Sequence, residues 1–250
     1  MSAARVAVVT GAARGIGLAT ARALAARGFT LVLLDRDAAA ARAAADGIAA
    51  QTHVVVCDLA DVAAHADVAA EIETQAGPID CLVNNAGIGS PARGDFLDLA
   101  VETFDRVIDV NLRGTVFFTQ AVVRRMLANP PRAGRSVITV TSASAALASP
   151  ERLDYCMSKA GLAMFTQGLA LRLAPHGIGV FDVRPGIIRT DMTAGVAARY
   201  DALIEGGLVP ALRWGEPDDV AEAIAGLATG PFYSTGSVVS VDGGLSIPRL

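Results

Sequence analysis

The fold is decided between residues 5 and 35. There Arg5-Val6-Ala7-Val8-Val9-Thr10-Gly11-Ala12-Ala13-Arg14-Gly15-Ile16-Gly17 runs into an alanine-rich stretch and then into Phe29-Thr30-Leu31-Val32-Leu33-Leu34-Asp35. The two short β-branched runs read as strands and the segment between them as a helix, which makes a strand–helix–strand unit. Glycines at the junction let the chain turn sharply and let phosphate oxygens approach without a β-carbon in the way. The free N–H groups and positive dipole end of the following helix attract a pyrophosphate. A tight strand–helix turn would use the same glycines. Gly11, Gly15 and Gly17 also have a wider first gap than the common Gly-x-Gly-x-x-Gly spacing. The setting between first strand and first helix nevertheless favours a dinucleotide site built from Gly11, Arg14, Gly15, Ile16 and Gly17.

Outward from this unit the same alternation continues. Strands are predicted at residues 53–57, 79–84, 136–141, 178–184 and 237–241, in addition to 5–10 and 29–35. Helices are predicted near 15–27, 37–51, 61–76, 101–128, 155–174 and 217–229. The strand runs are almost continuously apolar, as expected for strands covered on both faces. The reading is an α/β fold: a doubly wound parallel sheet of about seven strands flanked by helices, forming one domain over residues 1–250.

Composition narrows the function classes. The net charge of -4 leaves no basic footprint for nucleic acid. No apolar run approaches the roughly 20 residues of a membrane-spanning helix. The start of the chain passes straight into the glycine turn with no signal-peptide pattern, so a cytoplasmic location is expected. Cys57, Cys81 and Cys156, and His53, His65 and His176, share no ligand spacing, so no metal is expected. Of 21 basic side chains, twenty are arginine and one, Lys159, is lysine.

Asp35 ends the second strand about twenty residues beyond the glycine cluster, where a carboxylate accepts from ribose hydroxyls and repels a 2′-phosphate. That favours NAD(H). Arg36 and Arg14 could instead receive a 2′-phosphate, with NADP(H) as the alternative. Asp58 and Leu59 follow the third strand, and Asn85-Ala86-Gly87 follows the fourth, at the carboxyl edge where ligands bind such sheets. Turn chemistry would use the same residue types.

Tyr155 and Lys159 are four apart and share one helix face. A phenol has an unperturbed pKa near 10. A neighbouring ammonium, with the positive charge of an oxidised nicotinamide, would bring it toward the working range. A compact ammonium is chemically distinct from a planar guanidinium, so retention of the one lysine at this position supports a special role.

The ordered set Thr10-Gly-x-x-x-Gly15-x-Gly17, Asn84-Asn85-Ala86-Gly87, Asn111, Ser142, Tyr155-x-x-x-Lys159 and Pro185-Gly186 resembles the short-chain dehydrogenase/reductase family over essentially the whole chain. The resemblance implies reversible hydride transfer between a nicotinamide and a carbonyl or secondary alcohol. It makes Tyr155 the acid–base group, and Lys159 its partner and a ribose ligand. Ser142, with Ser144 as a near alternative, would orient the substrate oxygen. Asn111 would hold a water of the proton relay, a role compatible with kinking its helix. Pro185, Gly186, Ile188 and Thr190 would wrap the nicotinamide, a variable lid would run over about residues 190–214, and the chain would form a homotetramer or homodimer.

The substrate is less constrained. Ser149-Pro150-Glu151-Arg152 and Arg213-Trp214-Gly215-Glu216-Pro217 resemble a branch labelled 3-oxoacyl-(acyl-carrier-protein) reductase. Asp35 and the acidic net charge argue instead for an NAD(H)-preferring secondary-alcohol dehydrogenase or ketone reductase, with a sugar or polyol dehydrogenase also open. Met192, Tyr200, Leu203, Leu208 and Trp214 give the lid an apolar supply, and Arg93, Glu151 and Arg152 are candidates for its mouth. Local Arg124-Arg125 would be the place for an acidic carrier protein. Two rivals rank far lower. A non-catalytic NAD(P)-sensing regulator has no need of the acid–base pair, and a Rossmann-type methyltransferase has no use for it.

Overall fold

The computed structural model describes residues 4–230 and 232–249. Seven parallel strands form one sheet: β1 (Arg5–Thr10), β2 (Phe29–Asp35), β3 (Thr52–Val56), β4 (Ile79–Asn84), β5 (Ser136–Val140), β6 (Gly179–Pro185) and β7 (Val238–Val241). Their order is β3-β2-β1-β4-β5-β6-β7. The direction of winding therefore reverses between β1 and β4, which opens a crevice beyond the carboxyl ends of those strands.

The continuous apolar runs are explained by two cores. Val6 and Val8 of β1, and Val32 and Leu34 of β2, face one of them. The alternate residues Ala7, Val9, Leu31 and Leu33 face the other. The first core is closed by α3 (His65–Ala76), α5 (Thr115–Ala128) and α6 (Leu153–Leu173), through Ile72, Phe118, Val122, Met126 and Leu173. The second is closed by α1 (Gly15–Ala26), α2 (Ala38–Asp46) and α9 (Pro217–Thr229), through Ala21, Leu24, Ala44, Val220 and Ile224. Deleting a fully buried side chain such as Leu24 or Phe118 would cost about 2–5 kcal/mol.

Three local features differ from the sequence expectation. The helix expected over 101–128 is α4 (Val101–Ile108) and α5 joined by a π-helical turn, Asp109–Gly114. Gly114 makes this bulge fit, because a β-carbon there would lie 2.3 Å from the Leu59 carbonyl oxygen. Helix α6 begins at Leu153, ahead of Tyr155. The expected lid contains two short helices, α7 (Asp191–Ala194) and α8 (Ala197–Glu205), too short for an apolar period to reveal. The start of α9 follows its chemistry: Pro217 occupies the first turn, and Glu216 and Asp219 form a reciprocal cap.

Candidate active site

A cavity of about 840 Å³ lies along the carboxyl ends of the strands. Its nucleotide-sized end is made by backbone. Gly11 and Gly15 both adopt left-handed conformations, at φ 64° and 53°. A β-carbon on Gly11 would lie 2.8 Å from the Ala86 Cα, so only glycine lets the β1 and β4 turns pass each other. The Thr10 hydroxyl accepts from the Asn85 and Ala86 N–H groups, both at 3.0 Å. The Asn85 amide in turn donates to the Thr10 and Gly11 carbonyls, at 2.9 and 3.1 Å. These bonds lock the two turns together. At the head of α1, Arg14 supplies no side-chain cap, which leaves the first-turn N–H groups to a ligand.

Asp35 stands at the cavity wall with its carboxylate fixed by backbone: Ala13 N–H and Asp37 N–H each donate to one oxygen at 3.1 Å. Each oxygen keeps a lone pair for a ribose hydroxyl. Arg14 lies between Asp37 and Asp191, at 3.7 and 3.8 Å, and Arg36 is exposed at the wall. Asp58 and Leu59 also line this end, and the Asp58 carboxylate accepts from Ala60 N–H at 3.0 Å, a turn-forming bond.

Tyr155, Lys159 and Ser142 line the same cavity, with Ser144 beside them. Lys159 is buried and its Nζ donates to the Val140 carbonyl at 3.0 Å, with two N–H donors left over. Its Nζ lies 5.8 Å from the centre of the Tyr155 ring. Burial pulls the Lys159 ammonium down to about 8, and the Asp182 charge opposes that shift. Asp182 is buried on β6, where it accepts from the Thr141 hydroxyl and pairs with Arg184 at 2.8 Å. Asp182 is not among the residues expected at the site; the available signal was an acid in the middle of an apolar strand.

Tyr155 departs from the expected direction. Burial pushes its phenol up, while a hydrogen bond with Ser142 and the charge of Arg152 pull the other way. The protein's own groups therefore leave the phenol above its ordinary value, because the cost of charging a buried oxygen outweighs these partners. The Ser142 hydroxyl also accepts from Ser144 N–H at 3.0 Å, so capping and site roles coincide.

Two expected site residues lie behind the wall. A β-carbon on Gly17 would meet the Gly11 carbonyl oxygen at 2.2 Å, so this glycine serves helix-to-turn packing. Asn111 is fully buried in the π turn; its amide donates to the Ile88 carbonyl at 2.9 Å and to Ser158 Oγ at 3.1 Å, and its oxygen accepts from Ile88 N–H at 2.8 Å. Asn111 thus ties the chain beyond β4 to α6. The remaining candidates, Ile16, Asn85, Ala86, Gly87, Pro185, Gly186, Ile188 and Thr190, all line the cavity. Of the lid residues, Met192, Tyr200 and Leu208 face it, whereas Trp214 is buried in a small cluster with Ile204 and Val209. Arg93 and Arg152 reach the cavity; Glu151 is turned to Arg199 at 2.8 Å.

The cavity suits a dinucleotide by shape and by donor set, from the glycine turn to Lys159. No cluster of residues that could hold a metal ion occurs among the described residues. A family model described as enoyl-(acyl carrier protein) reductase matches residues 11–246. The chain is 39% identical over 248 residues to a 3-oxoacyl-(acyl-carrier-protein) reductase of Synechocystis sp., with 97% of each covered. It is similar to the crystal structure of a Brucella melitensis 3-oxoacyl-(acyl-carrier protein) reductase in complex with NAD, at 58% identity and TM-score 0.96 over 100% of both chains. An Agrobacterium tumefaciens structure with bound NADP, provisionally assigned as a 2-deoxy-D-gluconate 3-dehydrogenase, aligns at 35% identity and TM-score 0.87 over 96% of each chain.

Proposed function

The chain belongs to the short-chain dehydrogenase/reductase family, and from that premise we propose how its residues divide the work of a nicotinamide-dependent oxidoreductase. The enzyme interconverts a carbonyl and an alcohol. A bound nicotinamide supplies or accepts the hydride. During reduction Tyr155 gives its proton to the carbonyl oxygen as hydride reaches the carbon; during oxidation it takes the hydroxyl proton back. Ser142 donates to the same oxygen and fixes its position. Lys159 holds the nicotinamide ribose with its two remaining donors and, together with the positive charge of the oxidised ring, counters the burial that raises the phenol. Asn111 positions the wall through Ile88 and Ser158. The observation that carries this reading is that Tyr155, Ser142 and Lys159 share one cavity with the glycine turn.

The nucleotide is held by Gly11, Gly15, Ile16 and the head of α1 at the pyrophosphate, by Asp35 at the adenosine ribose, and by Asp58 and Leu59 near the adenine. Asn85, Ala86, Gly87, Pro185, Gly186, Ile188 and Thr190 surround its nicotinamide half. NAD(H) is the preferred cofactor because the fixed Asp35 carboxylate stands where a 2′-phosphate would go. Residues 190–214 act as the lid. The substrate is a ketone or secondary alcohol, in preference to a carrier-protein thioester: of the local Arg124-Arg125 pair, Arg125 is engaged by Glu73 at 2.5 Å. The buried free thiols of Cys57, Cys81 and Cys156 fit a reducing cytoplasm. Exposed Phe117, Met164 and Leu171 on α5 and α6 fit burial in a homotetramer or homodimer.

Tyr155→Phe tests the assignment. Turnover falls by roughly 10²–10⁴-fold while nucleotide binding, read by nicotinamide fluorescence, stays within a few-fold. Undiminished turnover would remove Tyr155 from the chemistry.

A further inference from the structure

The acidic groups around the substrate end of the cavity are already paired or turned away. Glu151 is bound to Arg199 at 2.8 Å, and Asp191 faces Arg14 at 3.8 Å. Asp154 is buried, with its oxygens accepting from Ser90 Oγ at 2.9 Å and Tyr155 N–H at 2.7 Å. Arg93 and Arg152 line this end of the cavity, and neither forms an ion pair within 4 Å among the described residues, although Glu151 lies near enough to feel both charges. Arg93 is exposed at the rim. Arg152 is partly buried, lies 5.4 Å from the centre of the Tyr155 ring, and has one weak bond, from its Nε to Ser149 Oγ at 3.4 Å.

A guanidinium held beside the acid–base tyrosine with its terminal N–H groups free is a fork for a planar anion. The same cavity is lined by the uncharged residues Ser144, Leu147, Ala148 and Ser149, and the neighbouring Glu151 is committed to Arg199 at 2.8 Å. A cation in such a recess is less screened than one on the surface, and complementary charge in the ligand relieves its cost.

We propose that the substrate is a hydroxy acid or its oxo acid, with its carboxylate held by Arg152 and drawn in by Arg93. This rests on the oxidoreductase reading above and narrows it to an anionic substrate class. Arg152 also stabilises the Tyr155 phenolate, but that effect acts on every substrate alike. The preference for an acid over its own neutral ester therefore isolates the recognition role.

The test measures kcat/KM with reduced nucleotide for pyruvate, acetoacetate and levulinate, each beside its methyl ester. A sugar acid beside the matching neutral polyol is run in the oxidative direction. The best acid should exceed its neutral partner by at least about tenfold. Arg152→Gln should bring that ratio close to one, and Arg152→Lys should keep part of it. Equal use of acid and ester, a ratio unmoved by Arg152→Gln, or a 3-oxoacyl thioester that outruns every acid would each overturn the inference. In those cases loss of ester turnover in Tyr155→Phe would still uphold the oxidoreductase reading. An enzyme that binds nucleotide yet reduces no carbonyl and oxidises no alcohol would sink both.

Discussion

At the β1–β4 end of the cavity the wall is main chain and small residues: Gly11, Gly15, Ala86 and Gly87, set by hydrogen bonds that Asn85 donates to Thr10. At the other end it is made of side chains carried by short helices and irregular segments, Ser144, Leu147, Arg152, Met192 and Tyr200. On the proposed reading the first end binds what every dinucleotide shares, so backbone geometry suffices and little can vary. The second end would then recognise the substrate through individual side chains. Lys159 and Tyr155 stand at the border, on the rigid helix α6.

The sharpest way to break this division is at the border. Lys159→Arg keeps the charge but replaces a compact ammonium whose Nζ sits 3.0 Å from the Val140 carbonyl and 3.5 Å from the place a Gly87 β-carbon would take. Turnover should fall by about 100-fold or more, and nucleotide binding should weaken. Wild-type kinetics would return the lone lysine to coincidence.

A smaller effect tests the nucleotide end. Asp35→Ser removes the carboxylate but keeps a hydroxyl, with exposed Arg36 alongside. The NADPH-to-NADH ratio of kcat/KM should rise about tenfold or more, equivalent to about 1.4 kcal/mol. An unchanged ratio would show that Asp35 does not read the ribose.

The pH dependence is smaller still. Lys159, pulled down to about 8 by burial, is charged below that value and neutral above it. Nucleotide affinity should therefore weaken by a few-fold as pH rises through about 8. Because Asp182 holds the ammonium up, Asp182→Asn should move that midpoint lower; a midpoint that stays put would disconnect the two. For folding the sign is reversed. The unfolded lysine binds its proton more tightly, so the burial penalty is present in full below about 8 and is relieved as pH rises toward the unfolded value.

The smallest change sharpens the lid end. Trp214 packs with Ile204 and Val209, and its Nε1 donates to Asp201 at 2.7 Å, outside the cavity lining. Trp214→Phe should lower stability by about 1 kcal/mol for the lost hydrogen bond and raise KM more than it lowers kcat. A large loss of kcat with KM unchanged would place Trp214 in the chemistry.

Features that rest on neighbours a few residues apart were legible in the order of residues alone. Apolar runs announced strands buried on both faces, and the glycine spacing announced a turn at the head of α1. The interval between Tyr155 and Lys159 put both on one side of a helix. The π turn at Asn111, the two lid helices and the raised phenol of Tyr155 were not legible. They depend on groups brought together from distant positions: Gly114 against Leu59, and the packing that buries Tyr155 and outweighs the opposing Ser142 and Arg152. Local pattern fixes backbone geometry, because hydrogen bonds and burial repeat with the period of the chain. Charge and burial at a site are sums over everything that packs around it, and only the tertiary structure performs that sum.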